Sequence, residues 1–198
     1  MTGLDFSGAS IAEAKRLSAR SGTPVEFVES NVYDALSVLP AEGFDLVYTG
    51  IGALCWLPEV GPWADVVAGL LRPGGRLFIR EAHPMVWAID ETRTEDLVIG
   101  YPYFEQQEAI VTDDPATYVA TEAEFTHNVT HSWNHGLGEI VTALLDAGMQ
   151  LTGLVEHQSV PWQALPGQME QVDLGEWQLA DRPWRLPSTY TLQAVKPF

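Results

Sequence analysis

Polar and small residues follow three apolar runs of this chain, at the points where each run ends. Asp5 closes the first run, Asn31 follows the second, and the loop Thr49-Gly50-Ile51 follows the third. A carboxylate such as that of Asp5 can accept hydrogen bonds from both hydroxyls of a ribose, and glycine allows backbone to approach a ligand closely. These residues are therefore candidate ligand contacts. The alternatives are a helix cap at Asp5 and ordinary turns at Asn31 and Gly50.

Two histidines are candidates for a general base. His83 closely follows the apolar run Leu77-Phe78-Ile79, and His135 stands at the start of a predicted helix. The imidazole titrates close to neutral pH, which suits proton transfer from a hydroxyl or an amine. The competing interpretation of each is a structural histidine whose ring nitrogens are hydrogen bonded within the protein.

Three histidines, His127, His131 and His135, are spaced four residues apart. On a helix this spacing would place three imidazoles on one face, as metal binding requires. However, β-branched and aromatic residues between them favour a strand, which would separate the three rings, and no cysteine is nearby. We therefore predict no metal site.

Strands that alternate with helices supply the scaffold for these residues. The apolar patterns predict strands at 2–6, 24–28, 44–48 and 76–80, with helices before Gly22 and over 63–71. Such alternation favours a parallel sheet with helices on both faces. Because the carboxyl ends of parallel strands meet at one edge, where ligands bind in open α/β sheets, we expect the candidate contacts to gather there.

The second half of the chain is less regular. Residues 84–132 have no clear helix period and include a stretch rich in strand-forming residues at 117–121, so they are predicted to be an insertion of strands and loops. A helix over 138–147 and strands over 151–156 and 189–195 follow, whereas 158–188 is predicted to be irregular. We expect one domain, 1–198, that contains this insertion.

Composition narrows the classes of partner. The 198 residues carry a net charge of −17, which repels nucleic acid and anionic membrane surfaces. No run of about 18 apolar residues indicates a membrane span, and no secretory leader is visible. The single cysteine, Cys55, excludes an internal disulfide and fits a reducing compartment. We expect a cytoplasmic protein that acts on small molecules.

Several motifs resemble one family in their order and spacing. Residues 70–77, Leu-Leu-Arg-Pro-Gly-Gly-Arg-Leu, resemble the turn before the fifth strand of class I S-adenosylmethionine (SAM)-dependent methyltransferases. Leu-Asp-Phe-Ser at 4–7 resembles the second-strand motif, and Ala147-Gly148 and the Ala-Val-Lys at 194–196 resemble the family's last helix and closing strand. The resemblance implies an α/β fold: a three-layer, Rossmann-like sheet, mostly parallel, with an antiparallel carboxyl-terminal strand.

The resemblance also implies SAM as cofactor and a small molecule as methyl acceptor. Asp5 would bind the ribose hydroxyls, and Phe6 would offer an apolar face to the adenine. Asn31 and Val32 would lie at the adenine edge; the family usually has Asp or Glu at the position of Asn31, although an amide oxygen can also accept a hydrogen bond. The loop at 49–51 would lie beside the methionine part.

One expected segment has no counterpart in the sequence. The family's Gly-rich turn should precede Asp5 by about twenty residues, whereas only four residues precede it. The first strand and first helix are therefore predicted to be missing, the transferase activity to be impaired, and the exposed sheet edge to allow homo-oligomers.

Two other functions stay open. A non-catalytic methyltransferase-like remnant could act as a binding or interaction module. A nicotinamide oxidoreductase could use the same Asp5 carboxylate, but the Arg72–Gly75 turn and the antiparallel final strand disfavour it.

Overall fold

The computed structural model describes residues 1–114 and 126–198. The predicted strand at 117–121 lies outside the described residues. The helices are α1 (Gly8–Ser21), α2 (Ala35–Val38), α3 (Val60–Leu70), α4 (Pro84–Trp87) and α5 (Leu137–Asp146). The strands are β1 (Thr2–Asp5), β2 (Glu26–Glu29), β3 (Phe44–Gly50), β4 (Leu71–Ala82), β5 (Ile110–Asp113), β6 (Val129–Ser132), β7 (Gln150–His157), β8 (Ser159–Val160), β9 (Met169–Gln171), β10 (Trp177–Leu179) and β11 (Thr189–Val195).

The strands form a four-stranded main sheet and three smaller sheets. The main sheet has the order β3-β4-β11-β7, in which β3 and β4 are parallel and β11 is antiparallel to both its neighbours. The antiparallel final strand is thus confirmed. Strands β3, β4 and β7 run in one direction, and β11 opposes them. The expected sheet is found only in part, because β1 and β2 form a separate parallel pair in the described residues.

Helices α3 and α5 cover one face of the main sheet. Alternate residues of the central strands, Leu77, Ile79 and Leu192, point into a core that they share with the two helices. On the opposite face Tyr48 stacks on Phe78 with ring centroids 6.1 Å apart, and Tyr48 is 60% exposed. Helices were predicted on both faces of the sheet. Helices α3 and α5 instead pack side by side on the same face.

The two parallel pairs share a helical layer although they are separate sheets. Leu4 of β1 and Val47 of β3 both pack against a cluster that contains Val66 and Leu70 of α3. Among the described residues, β1 is hydrogen bonded only to β2, and β3 only to β4. The facing edges of β1 and β3 are thus left without a strand partner.

The glycine turn after α3 is a bulge at the start of β4. Leu71 pairs with Phe44 and Arg76 with Leu46, so residues 72–75 form an extra loop on one strand. Gly74 has φ +77, a backbone angle that favours glycine. Its N–H donates to the Lys196 carbonyl at 2.8 Å, which ties the turn to the end of β11.

Residues 158–188 are more ordered than predicted. They contain β8, β9 and β10, which form an antiparallel sheet in the order β8-β10-β9. This sheet packs with α4 around a second core cluster that includes Val86, Leu165 and Leu179. Strands of two or three residues are too short to show an alternating pattern, which explains why the sequence did not reveal them.

No helix among the described residues is both long and apolar enough to cross a membrane.

Candidate functional site

Asp5 lies at the carboxyl end of β1, where the chain turns into α1. Its Oδ1 accepts the Ser7 N–H at 2.7 Å, and Ser7 Oγ in turn caps α1 by accepting the Ser10 N–H at 3.2 Å. The Asp5 carbonyl accepts the Ser30 N–H at 3.0 Å, which joins this end to the end of β2. One carboxylate oxygen thus orders the loop, and Oδ2 has no partner in the part of the chain that the structure describes. The neighbouring Phe6 is 77% exposed.

Asn31 follows β2 and starts a 3₁₀ turn over Val32–Asp34. Its Oδ1 accepts the Tyr33 N–H at 3.0 Å, so the side-chain oxygen caps this turn. Val32 packs partly buried against the main core. An adenine contact by Asn31 and Val32 stays a prediction, in which Asn31 Oδ1 would accept a second hydrogen bond.

The loop after β3 has an unusual backbone. Ile51 and Gly52 have φ +51 and +87, and Ile51 is a β-branched residue in a region that such residues rarely adopt. The Ile51 N–H donates to the Arg80 carbonyl at 2.7 Å. Strained backbone persists only where its surroundings hold it, and it often marks a ligand-binding segment.

Glu81 holds this loop and was not singled out from the sequence. It is 4% exposed and lies in β4. Its Oε2 accepts the Gly52 N–H at 2.6 Å and its Oε1 accepts the Ala53 N–H at 3.0 Å. Burial raises the pKa of Glu81, against the opposing effect of these hydrogen bonds. The signal that could have identified Glu81 is its charge, since it lies in the same strand as the apolar run 77–79.

A small cavity lies beneath the loop. Its volume is about 20 Å³, which holds about one water molecule. Cys55, Glu81, His135 and Tyr190 are among its lining residues. Burial raises the pKa of the Cys55 thiol to about 12, and burial also raises the pKa of the Tyr190 hydroxyl. The cavity is too small for an organic ligand, and of the four residues Glu81 accepts hydrogen bonds from the loop backbone.

A larger cavity of about 520 Å³ lies on the other face of β4. It lies between the main sheet and the β9–β10 connection, and Arg80, His157, Ser159, Glu176 and Thr191 are among its lining residues. Arg80 forms an ion pair with Glu176, and Ser159 Oγ donates to Glu176 at 2.5 Å. This volume is within the range of small-molecule sites.

His83 is buried, and both its ring nitrogens are engaged. Nδ1 accepts the Met85 N–H at 3.0 Å and caps α4, and Nε2 lies 2.9 Å from Glu156 Oε1. Since Nδ1 is an acceptor, the proton is on Nε2 and the ring is neutral. Burial lowers the pKa of His83, against the opposing charge of Glu156. A role as base would require His83 to release one of these partners.

His135 is 4% exposed and lies just before α5. Nε2 is 2.7 Å from the Leu57 carbonyl oxygen, and Nδ1 is 3.0 Å from Glu139 Oε1. His127 and His131 are both exposed, and His131 lies in β6. The three evenly spaced histidines therefore have different environments, and only His135 lines a cavity.

Comparison with known proteins matches the first part of the chain to a family. Residues 1–77 match a family described as "Methyltransferase domain". This segment contains every residue predicted to contact the cofactor, from Asp5 to Ile51, whereas His83 and His135 lie beyond it. A search of curated proteins gave no match.

Solved structures extend the likeness to the whole chain. A protein from Listeria monocytogenes assigned as an S-adenosylmethionine-dependent methyltransferase is similar with a TM-score of 0.65 and 18% identity, over 100% of this chain and 80% of that one. A methyltransferase of the same dependence from Mesorhizobium loti has a TM-score of 0.63 and 21% identity, over 98% and 79%. A third, from Methanosarcina mazei, has a TM-score of 0.61 and 16% identity, over 100% and 82%.

Sequence and structure thus lead to the same group of proteins. The family match covers the strands and loops that carry the candidate contacts, and the structural likeness covers the mixed sheet and its antiparallel last strand. Residues 1–77 thus match a methyltransferase-domain family, and the whole chain has the fold of solved structures assigned as S-adenosylmethionine-dependent methyltransferases.

Proposed function

We propose that the chain binds SAM at the edge formed by the ends of β1, β2 and β3, and methylates a small-molecule acceptor. The observation that carries this proposal is that the segment matching a methyltransferase domain contains all the candidate contacts. These residues lie at the carboxyl ends of parallel strands, where open α/β sheets bind ligands.

The residues present fit the cofactor in part. Asp5 keeps one carboxylate oxygen for the ribose hydroxyls, and the exposed Phe6 ring is available to the adenine. Thr49 and Gly50, predicted to be in a loop, are the last residues of β3. The loop that follows is held by Glu81 and by the Arg80 carbonyl, and this backbone can approach the methionine part. The cofactor supplies an electrophilic methyl group, and much of the remaining rate then comes from alignment of the acceptor.

The acceptor site is proposed to be the cavity of about 520 Å³ beside Arg80. Arg80 pairs in register with Gly50 of the cofactor loop, so the cavity lies on the adjacent strand at the same level of the sheet. Its polar lining includes the hydroxyls of Ser159 and Thr191. His83 and His135 remain candidate bases for an acceptor hydroxyl or amine.

A second candidate function is a non-catalytic binding module. The open edges of β1 and β3 favour it, because a ligand in the proposed site would span two sheets that no strand pairing joins within 1–114 and 126–198. In that case the fold is kept and the cofactor is not bound.

Calorimetric titration of the full chain with SAM tests both the methyltransferase and the binding-module proposals. We expect saturable binding that is weakened by about 1–3 kcal/mol in Asp5→Ala, the loss of charge-assisted hydrogen bonds. Asp5→Asn keeps an acceptor for the Ser7 N–H but removes the charge. It therefore separates an effect on SAM binding from an effect on folding. Glu26→Ala, an exposed change at the opposite end of the same strand pair, should bind as the wild type does. A folded wild-type chain that binds no SAM would contradict the enzyme and support the binding module.

A further inference from the structure

Three side chains with metal-ligand atoms meet beside the start of α5. They are Glu105, His135 and Glu139, and one ligand atom of each lies within 4.8 Å of the others. Glu139 is in the first turn of α5. The segment that carries Glu105 is held in place by Tyr103, whose hydroxyl accepts the Leu137 N–H at 3.4 Å.

The His135 ring has a fixed orientation and a fixed tautomer. Its Nε2 lies 2.7 Å from the Leu57 carbonyl oxygen, which is only an acceptor, so Nε2 must carry a proton. In the neutral form of this ring, the lone pair of Nδ1 points at Glu139 Oε1, 3.0 Å away. Two electron-rich atoms at this distance repel each other unless a proton or a metal ion lies between them.

The second carboxylate increases the need for positive charge. A ligand oxygen of Glu105 lies within 4.8 Å of one of Glu139, so two carboxylates that repel each other share the cluster. The chain as a whole has a net charge of −17, and its field attracts cations rather than anions. A cation in the cluster would relieve this repulsion.

We propose that His135 Nδ1, Glu139 and Glu105 bind one divalent cation of the Zn²⁺ type. An imidazole nitrogen and carboxylate oxygens are ligands that Zn²⁺ takes, and three protein ligands leave a fourth position for water or a substrate atom. Two carboxylates would neutralise the charge of the ion. The Leu57 carbonyl is the outer partner that fixes the imidazole and raises its basicity.

The present distances suit this ion after a small movement. Ligand atoms of a tetrahedral site with bonds of about 2.0–2.1 Å lie about 3.4 Å apart, and Nδ1 and Oε1 of the His135–Glu139 pair are 3.0 Å apart. Glu105 is exposed, so its side chain has room to move toward the ion. His135 would then be a ligand rather than a base. The proposal does not depend on methyl transfer.

Calorimetric titration of the full chain with zinc chloride in physiological salt tests this site, together with measurement of metal content after dialysis. We expect one tightly bound equivalent, with proton release, because metal ligands must be deprotonated. Glu139→Gln should weaken binding by at least the factor of about 10–100 known for outer-shell partners. Its amide N–H can still donate to Nδ1 and preserve the fold, which circular dichroism would confirm.

Glu105→Gln should weaken binding in the same way, and Glu108→Gln is the matched control. Glu108 is an exposed carboxylate of the same segment and is not in the cluster. Equal zinc binding by the wild type, Glu139→Gln and Glu105→Gln would show that the acidic surface binds the ion and would overturn the proposal. Absence of zinc binding to the wild type would also overturn it, and would assign the shared charge to protons.

Discussion

The carboxylate of Glu81 accepts the backbone N–H of Gly52 at 2.6 Å, although Glu81 is only 4% exposed. This bond joins the end of β4 to the loop that follows β3, where Ile51 and Gly52 have positive φ. A buried carboxylate is costly unless it is hydrogen bonded, and here its partners are backbone donors of a strained loop. Glu81 therefore maintains the conformation of the proposed cofactor loop.

Replacing Glu81 should destabilise the fold and loosen this loop. Glu81→Ala leaves the N–H groups of Gly52 and Ala53 without their acceptor, and we expect the free energy of unfolding to fall by about 1–3 kcal/mol. Glu95→Ala, an exposed change, should leave it unaltered. Urea unfolding of both variants measures the difference, and equal stabilities would show that the loop does not depend on Glu81.

The raised pKa of Glu81 predicts how the free energy of unfolding changes with pH. Its native pKa is raised above the ordinary value of 4.5, so between these two values the native state binds more protons than the unfolded state. Stability from Glu81 is therefore lost as the pH rises through the raised native pKa. Glu81→Gln should lack this loss when unfolding is measured across that range, and an unchanged pH profile in the variant would contradict the assignment.

The lowered pKa of His83 predicts a change of stability with pH in the opposite direction. Burial lowers its native pKa below 6.5, so the unfolded state binds more protons and stability is lost as the pH falls below about 6.5. His83→Asn can still cap α4 through its side-chain oxygen but does not titrate there. Comparison of urea midpoints at pH 5 and pH 8 should show a smaller difference for this variant than for the wild type. A difference as large as that of the wild type would assign the acid sensitivity to another group.

Cys55 should be unreactive in the native protein. Burial first, and the charge of Glu81 second, raise the pKa of its thiol to about 12, so the nucleophilic thiolate is scarce at pH 8. We expect a thiol reagent to label Cys55 slowly in buffer and rapidly in denaturant. Cys55→Ala should abolish labelling in both conditions, and rapid labelling of the folded wild type would show that the cavity opens.

The open edges of β1 and β3 should promote self-association. A strand edge with free backbone groups pairs with other chains, and the β3 edge also carries the exposed Leu46 and Tyr48. We expect sedimentation to show oligomers whose fraction rises with concentration, and Leu46→Lys or Tyr48→Lys to shift them toward monomer. Leu145→Lys, an equally exposed change on α5, should have no such effect. A wild type that is monomeric at every concentration would show that these edges are protected.

The sequence was sufficient where local rules govern the structure. The final strand at 189–195 was predicted with the bounds that β11 has, because alternation and β-branched residues are local signals. Gly22 and Gly148 end their helices with φ +68 and +78, as their type and position indicated. The candidate contacts at Asp5, Asn31 and Gly50 likewise follow their strands.

The tertiary structure decided what depends on partners distant in sequence. Periodicity could not show that β1 and β2 separate from the main sheet, since pairing joins residues whose spacing in the chain carries no signal. The states of His83 and His135 are set by Glu156, Leu57 and Glu139, up to 78 residues away. Sequence by itself therefore determined the resemblance to one family, the main strands and helices, and the candidate cofactor contacts. Only the folded chain determined which side chains are hydrogen bonded to each other, which backbone groups Glu81 binds, and which cluster could bind a cation. The reason is that burial and hydrogen bonding arise from contacts between separate elements.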